Sequence, residues 1–132
     1  MNNSKYILLV DDDPDDLMFL REAIESFEDI IIIECPDGIS ALNVLKDNQQ
    51  NNNLPCLIVL DINMPILDGR EVLAVLKSDP LLKNIPVLVF TTSSNPADIN
   101  YCSQYGVEML SKPINVGKLH EMAKKMLGLC HT

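Results

Sequence analysis

The chain has 132 residues, 47% of them hydrophobic, and 10 Lys+Arg against 19 Asp+Glu give a formal net charge of −9. That length suits one domain of ordinary size, and the composition is globular rather than disordered. The acidic balance excludes a phosphate-backbone or anionic-lipid binder, and no apolar run approaches the roughly 20 residues of a spanning helix. Neither a nucleic acid nor a membrane is therefore an expected partner.

Five short apolar runs recur along the chain: Tyr6–Val10, Ile30–Cys35, Cys56–Leu60, Val87–Phe90 and Val107–Leu110. The first four are continuous and rich in Val, Ile and Leu, as strands covered on both faces should be. The last is mixed and reads as an edge strand. Helical periodicity fills the intervals. Leu17, Leu20, Ile24 and Phe27 form one apolar stripe, and Leu119, Met122, Ala123, Met126 and Leu127 form another. Asp13-Pro14 and Asn95-Pro96 each place a capping side chain before a proline at the first helical position, and Asp68 to Glu71 has capping-box spacing. Asp47 to Pro55, rich in Asn and Gln, reads as a long surface loop. The order is β-α five times over, which predicts an α/β doubly wound fold: a parallel five-stranded sheet with helices on both faces, in three layers.

Met1 to Lys5 lead straight into the first strand without a charged-then-apolar leader, so no secretory signal is expected. Cys35, Cys56, Cys102 and Cys130 are widely spaced and form no CxxC pair, so reduced thiols in a cytoplasmic protein are expected. The last predicted helix ends near Leu127, with only a few residues after it, so no output domain is expected.

In an open parallel sheet, ligands bind beyond the carboxyl ends of the strands. The residues that follow the apolar runs are Asp11 and Asp12, then Asp61, then Thr91, then Lys112. Three carboxylates brought together repel and raise at least one pKa. A hard divalent cation such as Mg²⁺, with Mn²⁺ as a substitute, relieves that repulsion through oxygen ligands. Metal, ammonium and hydroxyl around one carboxylate stabilise a phosphoryl group in transfer, and Asp61, centrally placed, is the natural nucleophile. Asp13, Asp15 and Asp16 read instead as helix-start acids that complement the macrodipole.

Val10-Asp11-Asp12, Leu60-Asp61-Ile62-Asn63-Met64-Pro65-Ile66-Leu67-Asp68-Gly69, Phe90-Thr91 and Ser111-Lys112-Pro113 together resemble the receiver domain of bacterial two-component response regulators. The likeness runs over nearly the whole chain, with a core of about 5–127 in a single domain over 1–132. It implies a flavodoxin-like sheet in the order 2-1-3-4-5 and a non-enzymatic phosphoacceptor switch. Asp61 would take a phosphoryl group from a sensor histidine kinase or histidine phosphotransfer protein. Asp12 and Asp61 would bind Mg²⁺ directly, Asp11 through water, and the backbone carbonyl of Asn63 would complete the protein ligands. Lys112 would pair with the phosphoryl oxygens, and Thr91 would swing its hydroxyl onto them. The resemblance also implies a cis Lys112-Pro113 peptide, and places Asn63 and Ser93 at positions that tune hydrolysis. Its usual aromatic switch residue is Met109 here, and Thr92 stands where a smaller residue is common. Output is then expected from repacking of the fourth helix, near Tyr101 and Tyr105. It would act on a downstream protein, with the fourth-helix, fifth-strand and fifth-helix face as a candidate homodimer surface. The stretches 68–73 and 77–86, with Thr91-Thr92-Ser93, look most like receivers partnered with bacterial phytochromes.

Three rival readings are weaker. A haloacid-dehalogenase-type phosphatase also uses an Asp after an apolar strand, but wants an acid two residues on, where this chain has Asn63. A flavin binder of similar fold needs amides and hydroxyls after the first strand, where acids stand instead. A receiver-like interaction module without chemistry would not need Asp12, Asp61, Thr91 and Lys112 together. His120 and His131 have no role or partner legible in the sequence.

Overall fold

The computed structural model describes residues 5–132. The leader reading rests on residues 1–4 and so lies outside them. Five strands and five helices alternate: β1 (Tyr6–Val10), α1 (Pro14–Glu25), β2 (Ile31–Cys35), α2 (Gly38–Gln50), β3 (Leu57–Leu60), α3 (Gly69–Ser78), β4 (Val87–Thr91), α4 (Pro96–Gln104), β5 (Glu108–Ser111) and α5 (Val116–Cys130). The sheet is parallel, in the order β2-β1-β3-β4-β5.

Two apolar cores sandwich it. Side chains alternate across a strand, so Leu8 and Val10 of β1 face one core while Ile7 and Leu9 face the other. The first core takes Ala41 and Leu45 from α2, Val72, Leu73 and Leu76 from α3, and Cys102 from α4. The second takes Leu17, Leu20, Ala23 and Ile24 from α1, and Ala123, Met126 and Leu127 from α5. Burial on both faces explains why the central strands read as unbroken apolar runs.

The predicted helix starts are all present. Asp13 accepts from the amides of Asp15 and Asp16, Asn95 from that of Ala97, and Asp68 and Glu71 form a reciprocal capping box. Four expectations need correction. β2 lies at an edge with only β1 as neighbour, so Ile31 is exposed rather than covered on both faces. The α1 stripe ends before Phe27, because the helix stops at Glu25. The Ser26 hydroxyl takes the Ala23 carbonyl there, and Phe27 sits exposed with its ring against His120. The polar stretch after Asp47 is not wholly loop: α2 runs on to Gln50, since Asn and Gln permit helix where no proline intervenes until Pro55. Two of the cysteines are not free thiols. Cys56 and Cys130 form a disulfide across a sequence separation of 74, with Cα atoms 4.8 Å apart, while Cys35 and Cys102 are buried thiols. The end of α5 packs against the start of β3, a tertiary juxtaposition that spacing alone does not reveal.

The loop from β3 to α3 is tightly wound. Gly69 donates its amide to the Ile62 carbonyl at 2.9 Å, and a Cβ there would lie 2.2 Å from the Asp61 carbonyl oxygen. Glycine is required at this position by close backbone approach. In the same loop Ile66 adopts a positive φ of 69° with its side chain in solvent, a strained choice for a β-branched residue.

Candidate functional site

Backbone hydrogen bonds extend the ladder past the strand ends and fix the rim. The Asp11 amide donates to the Cys35 carbonyl (3.1 Å), the Asp61 amide to Val10 (3.0 Å), and the Lys112 amide to Thr91 (2.9 Å). The structure therefore brings Asp11, Asp12, Asp61, Thr91 and Lys112 to one edge of the sheet, as the sequence predicts. Asp11, Asp61 and Thr91 are buried, while Asp12 is exposed.

Lys112 is the centre of charge. Its Nζ lies 2.6 Å from Asp11 Oδ2, 2.8 Å from Asp16 Oδ2 and 3.1 Å from Asp61 Oδ2. Asp16 is therefore more than a helix-start acid, which corrects the sequence reading. One turn into α1 its carboxylate reaches over the rim, and only the tertiary fold places it beside a lysine 96 residues away. Burial alone would lower the Lys112 pKa. Hydrogen bonds to Asp11 and Asp16, with the nearby Asp61 charge, outweigh it and push the ammonium above its ordinary range. Burial also pushes the Asp11 carboxyl up to about 6, and the Asp61 charge adds to the rise. The Lys112 ammonium and the Asp13 amide, which donates to Asp11 Oδ1 at 3.0 Å, pull the other way. Asp61 is oriented by the Ile62 amide, 2.8 Å from its Oδ1.

Among the described residues, the carboxylate oxygens of Asp11, Asp12 and Asp61 lie within 4.8 Å of one another. A donor set of oxygen alone suits a hard cation that keeps several waters, and the exposed Asp12 leaves one side open to them. The residues present thus fit a divalent ion. Asn63, two positions beyond Asp61, is exposed at the same loop.

The remaining candidates divide. Ser93 belongs to the rim, its amide donating to Thr91 Oγ1 at 3.1 Å. Met109 is half-buried against the α2–α4 core and lines a groove of about 490 Å³ with Ser93, Ile99 and Val107. Tyr101 and Tyr105 stack edge to face at 5.3 Å. Among the described residues no peptide bond is cis, so Lys112-Pro113 is trans, against the expectation. Trans is the intrinsically preferred isomer of an X-Pro bond. Two polar residues were not singled out in the sequence: Asp98, buried in the first turn of α4, and Arg70, its ion-pair partner at 3.1 Å. His131 also has partners, Glu28 at 2.8 Å and Lys5 at 3.3 Å, at the opposite end of the sheet.

A doubly wound parallel sheet with clustered carboxylates and a lysine at its carboxyl rim defines an α/β domain whose rim has the groups that could hold a cation and a phosphoryl group. The receiver domain of response regulators matches residues 7–124, and the chain belongs to that family. It is 39% identical over 127 residues to "Response regulator Rcp1" of Synechocystis sp., covering 93% of this chain and 86% of that protein. The "Polar-differentiation response regulator DivK" of Brucella anthropi is 32% identical, over 94% of this chain and 97% of its own. In structure, the phosphorylated cyanobacterial phytochrome response regulator RcpA superposes with a TM-score of 0.87 at 35% identity, covering 98% of this chain and 95% of that one. The Mn²⁺-bound form of Rcp1 gives a TM-score of 0.81 at 38% identity, covering 92% and 90%.

Proposed function

We propose that this receiver domain is a phosphoacceptor switch in which Asp61 is the acceptor and a histidine kinase or histidine phosphotransfer protein is the donor. The observation that carries the proposal is the rim itself: a buried Asp61 carboxylate held by Lys112 at 3.1 Å, within 4.8 Å of Asp11 and Asp12 and beside the buried end of β4 at Thr91. An Asp61 oxygen attacks phosphorus, the P–N bond of the donor phosphohistidine breaks, and the imidazole leaves as the acyl phosphate forms. Lys112 neutralises charge on the phosphoryl oxygens, releasing its hold on Asp11 and Asp16 to do so. Asp11, Asp12, Asp61 and the Asn63 carbonyl would hold Mg²⁺, which supplies electrostatic stabilisation of the transferred group. Thr91 donates its hydroxyl to that group once its contact with the Ser93 amide is broken.

The chain is not an enzyme on this reading. Its chemistry is confined to its own carboxylate, and output passes through altered protein contacts. Met109 has neither ring nor hydroxyl, so the report on phosphorylation falls to α4 and its Tyr101–Tyr105 pair. The α4-β5-α5 face is the surface proposed for a second copy, and the domain is taken to act in the cytoplasm. Because the similar structures include phytochrome response regulators, a phytochrome-type kinase is the donor to assay first. The test is incorporation of label from a small acyl phosphate with Mg²⁺. The wild-type protein should be labelled and Asp61→Asn should not; equal labelling sinks the acceptor assignment.

A further inference from the structure

A polar chain leads away from Thr91 that the phosphoacceptor reading does not use. The Ser93 amide donates to Thr91 Oγ1, and the Ser93 hydroxyl donates to Asp98 Oδ2 at 2.6 Å. The Asn95 amide in turn donates to Ser93 Oγ at 3.3 Å. The other oxygen of Asp98 lies 3.1 Å from Arg70 Nη1, an ion pair without hydrogen-bond alignment. The Arg70 backbone carbonyl accepts from the Tyr101 hydroxyl at 2.9 Å, tying α3 to α4 a second time.

The placement of Asp98 is unusual for a helix-start acid. An acid that only complements the macrodipole does so from solvent, whereas Asp98 is 4% exposed. A buried carboxylate is tolerated when its partners are held in place, and the two partners here sit on separate segments, Arg70 on α3 and Ser93 in the β4–α4 loop. Moving Ser93 away would strip a short, charge-assisted hydrogen bond from a desolvated carboxylate. The Ser93 amide that holds Thr91 Oγ1 and the Ser93 hydroxyl that holds Asp98 belong to one residue, so fixing Ser93 fixes the donor that restrains Thr91.

We propose that Asp98 is a positioning residue that holds the Thr91–Asn95 loop in its resting arrangement through Ser93, and is itself held by Arg70. It thereby sets how readily the rim closes on a phosphoryl group and how long the aspartyl phosphate lasts. The proposal rests on the reading of Asp61 as phosphoacceptor. Asp98 touches neither the acceptor nor the metal-binding carboxylates, so its effect travels only through Ser93 and Thr91.

The experiment uses the full chain with Mg²⁺ and beryllofluoride as the phosphoryl mimic, followed by NMR at the Thr91 and Ser93 amides, with the lifetime of the labelled protein measured in parallel. Asp98→Ala should bind the mimic about tenfold more tightly, the order expected when a charge-assisted hydrogen bond restraining the resting state is lost. It should lengthen the lifetime while leaving Mg²⁺ affinity unchanged. Ser93→Ala should act in the same direction, and the double variant should add little beyond either single one, because both remove the same contact. Arg70→Gln, on a partly exposed side chain, should give a smaller effect of the same sign, and Asp98→Glu should restore part of the restraint. Variants that lose thermal stability but keep mimic affinity and lifetime within about twofold of wild type would reduce Asp98 to a structural acid and overturn the proposal; strictly additive effects would overturn it too. If Asp61→Asn still takes label, the acceptor reading fails instead. If labelling depends on Asp61 and the Asp98 series is silent, only the present inference is lost.

Discussion

Replacing Lys112 with methionine keeps the length of the side chain and removes its charge. In the metal-free protein this leaves Asp11 and Asp61, whose side chains are 9% and 8% exposed, facing each other without a cation. Breaking a buried ion pair costs about 3–5 kcal/mol, and the more open Asp16 contact adds at most a few tenths. A loss of about 3 kcal/mol at pH 8 is expected. Its pH dependence is the sharper check. Burial already pushes the Asp11 carboxyl up to about 6, with Lys112 opposing that rise. A carboxyl raised in the folded state contributes stability below its unfolded value, and that stability is lost as pH climbs through the folded value. In wild type the loss is therefore complete a little above pH 6. Without Lys112 the folded value rises further, so the variant should go on losing stability above pH 6, where wild type has levelled off. Urea unfolding at pH 5, 6.5 and 8 measures this directly, and the gap between the proteins should be smallest at pH 5 and widest at pH 8. Mg²⁺ should restore the variant more than it stabilises wild type, since no ammonium competes for the carboxylates. A gap below about 1 kcal/mol at pH 8, or one equal at pH 5 and pH 8, would refute the reasoning.

Three further outcomes are expected. Asp12→Ala should weaken Mg²⁺ binding sharply in a titration while leaving the unfolding midpoint nearly unchanged, because Asp12 is exposed and holds no buried contact. Gly69→Ala should cost about 3 kcal/mol or more in urea unfolding, since the added carbon would overlap the Asp61 and Ile62 backbone, which cannot yield as a flexible side chain can. Reducing the Cys56–Cys130 disulfide should add two thiols to a denatured titration and lower stability by about 2–4 kcal/mol, as expected for so long a closed loop.

The strands and the rim were legible because both depend on local signals. A β-strand buried on both faces must be apolar throughout, and a polar residue at its carboxyl end then stands out; Asp11, Asp61 and Thr91 were found in that way, and Lys112 by its place after the mixed fifth run. Helix caps were legible for the same reason, since Asp13-Pro14 and Asp68 to Glu71 act within a single turn. What escaped was tertiary. Asp16 looks like any first-turn acid until the fold brings Lys112, just past the end of β5, to within 2.8 Å of it, and Asp98 looks the same until Arg70 arrives from α3. The pairing of Cys56 with Cys130 depends on where α5 ends against β3. The isomer of Lys112-Pro113 was expected from family resemblance, and no local signal in the sequence decides it.

The two ends of the sheet differ in how firmly they are held. At the amino ends of the strands, the Tyr6 hydroxyl donates to the Asn53 carbonyl and accepts from Asn48, the Cys56 amide binds the Tyr6 carbonyl, and the disulfide pins α5 beside them. At the other end, structure is kept by charges, with Lys112 paired to Asp11, Asp16 and Asp61, and on the proposed phosphoacceptor reading these would change partners. Such a domain behaves like a vice with one fixed jaw. On that reading the motion is confined to the rim and α4, and amide exchange should be slower towards the Tyr6 end with or without a phosphoryl mimic.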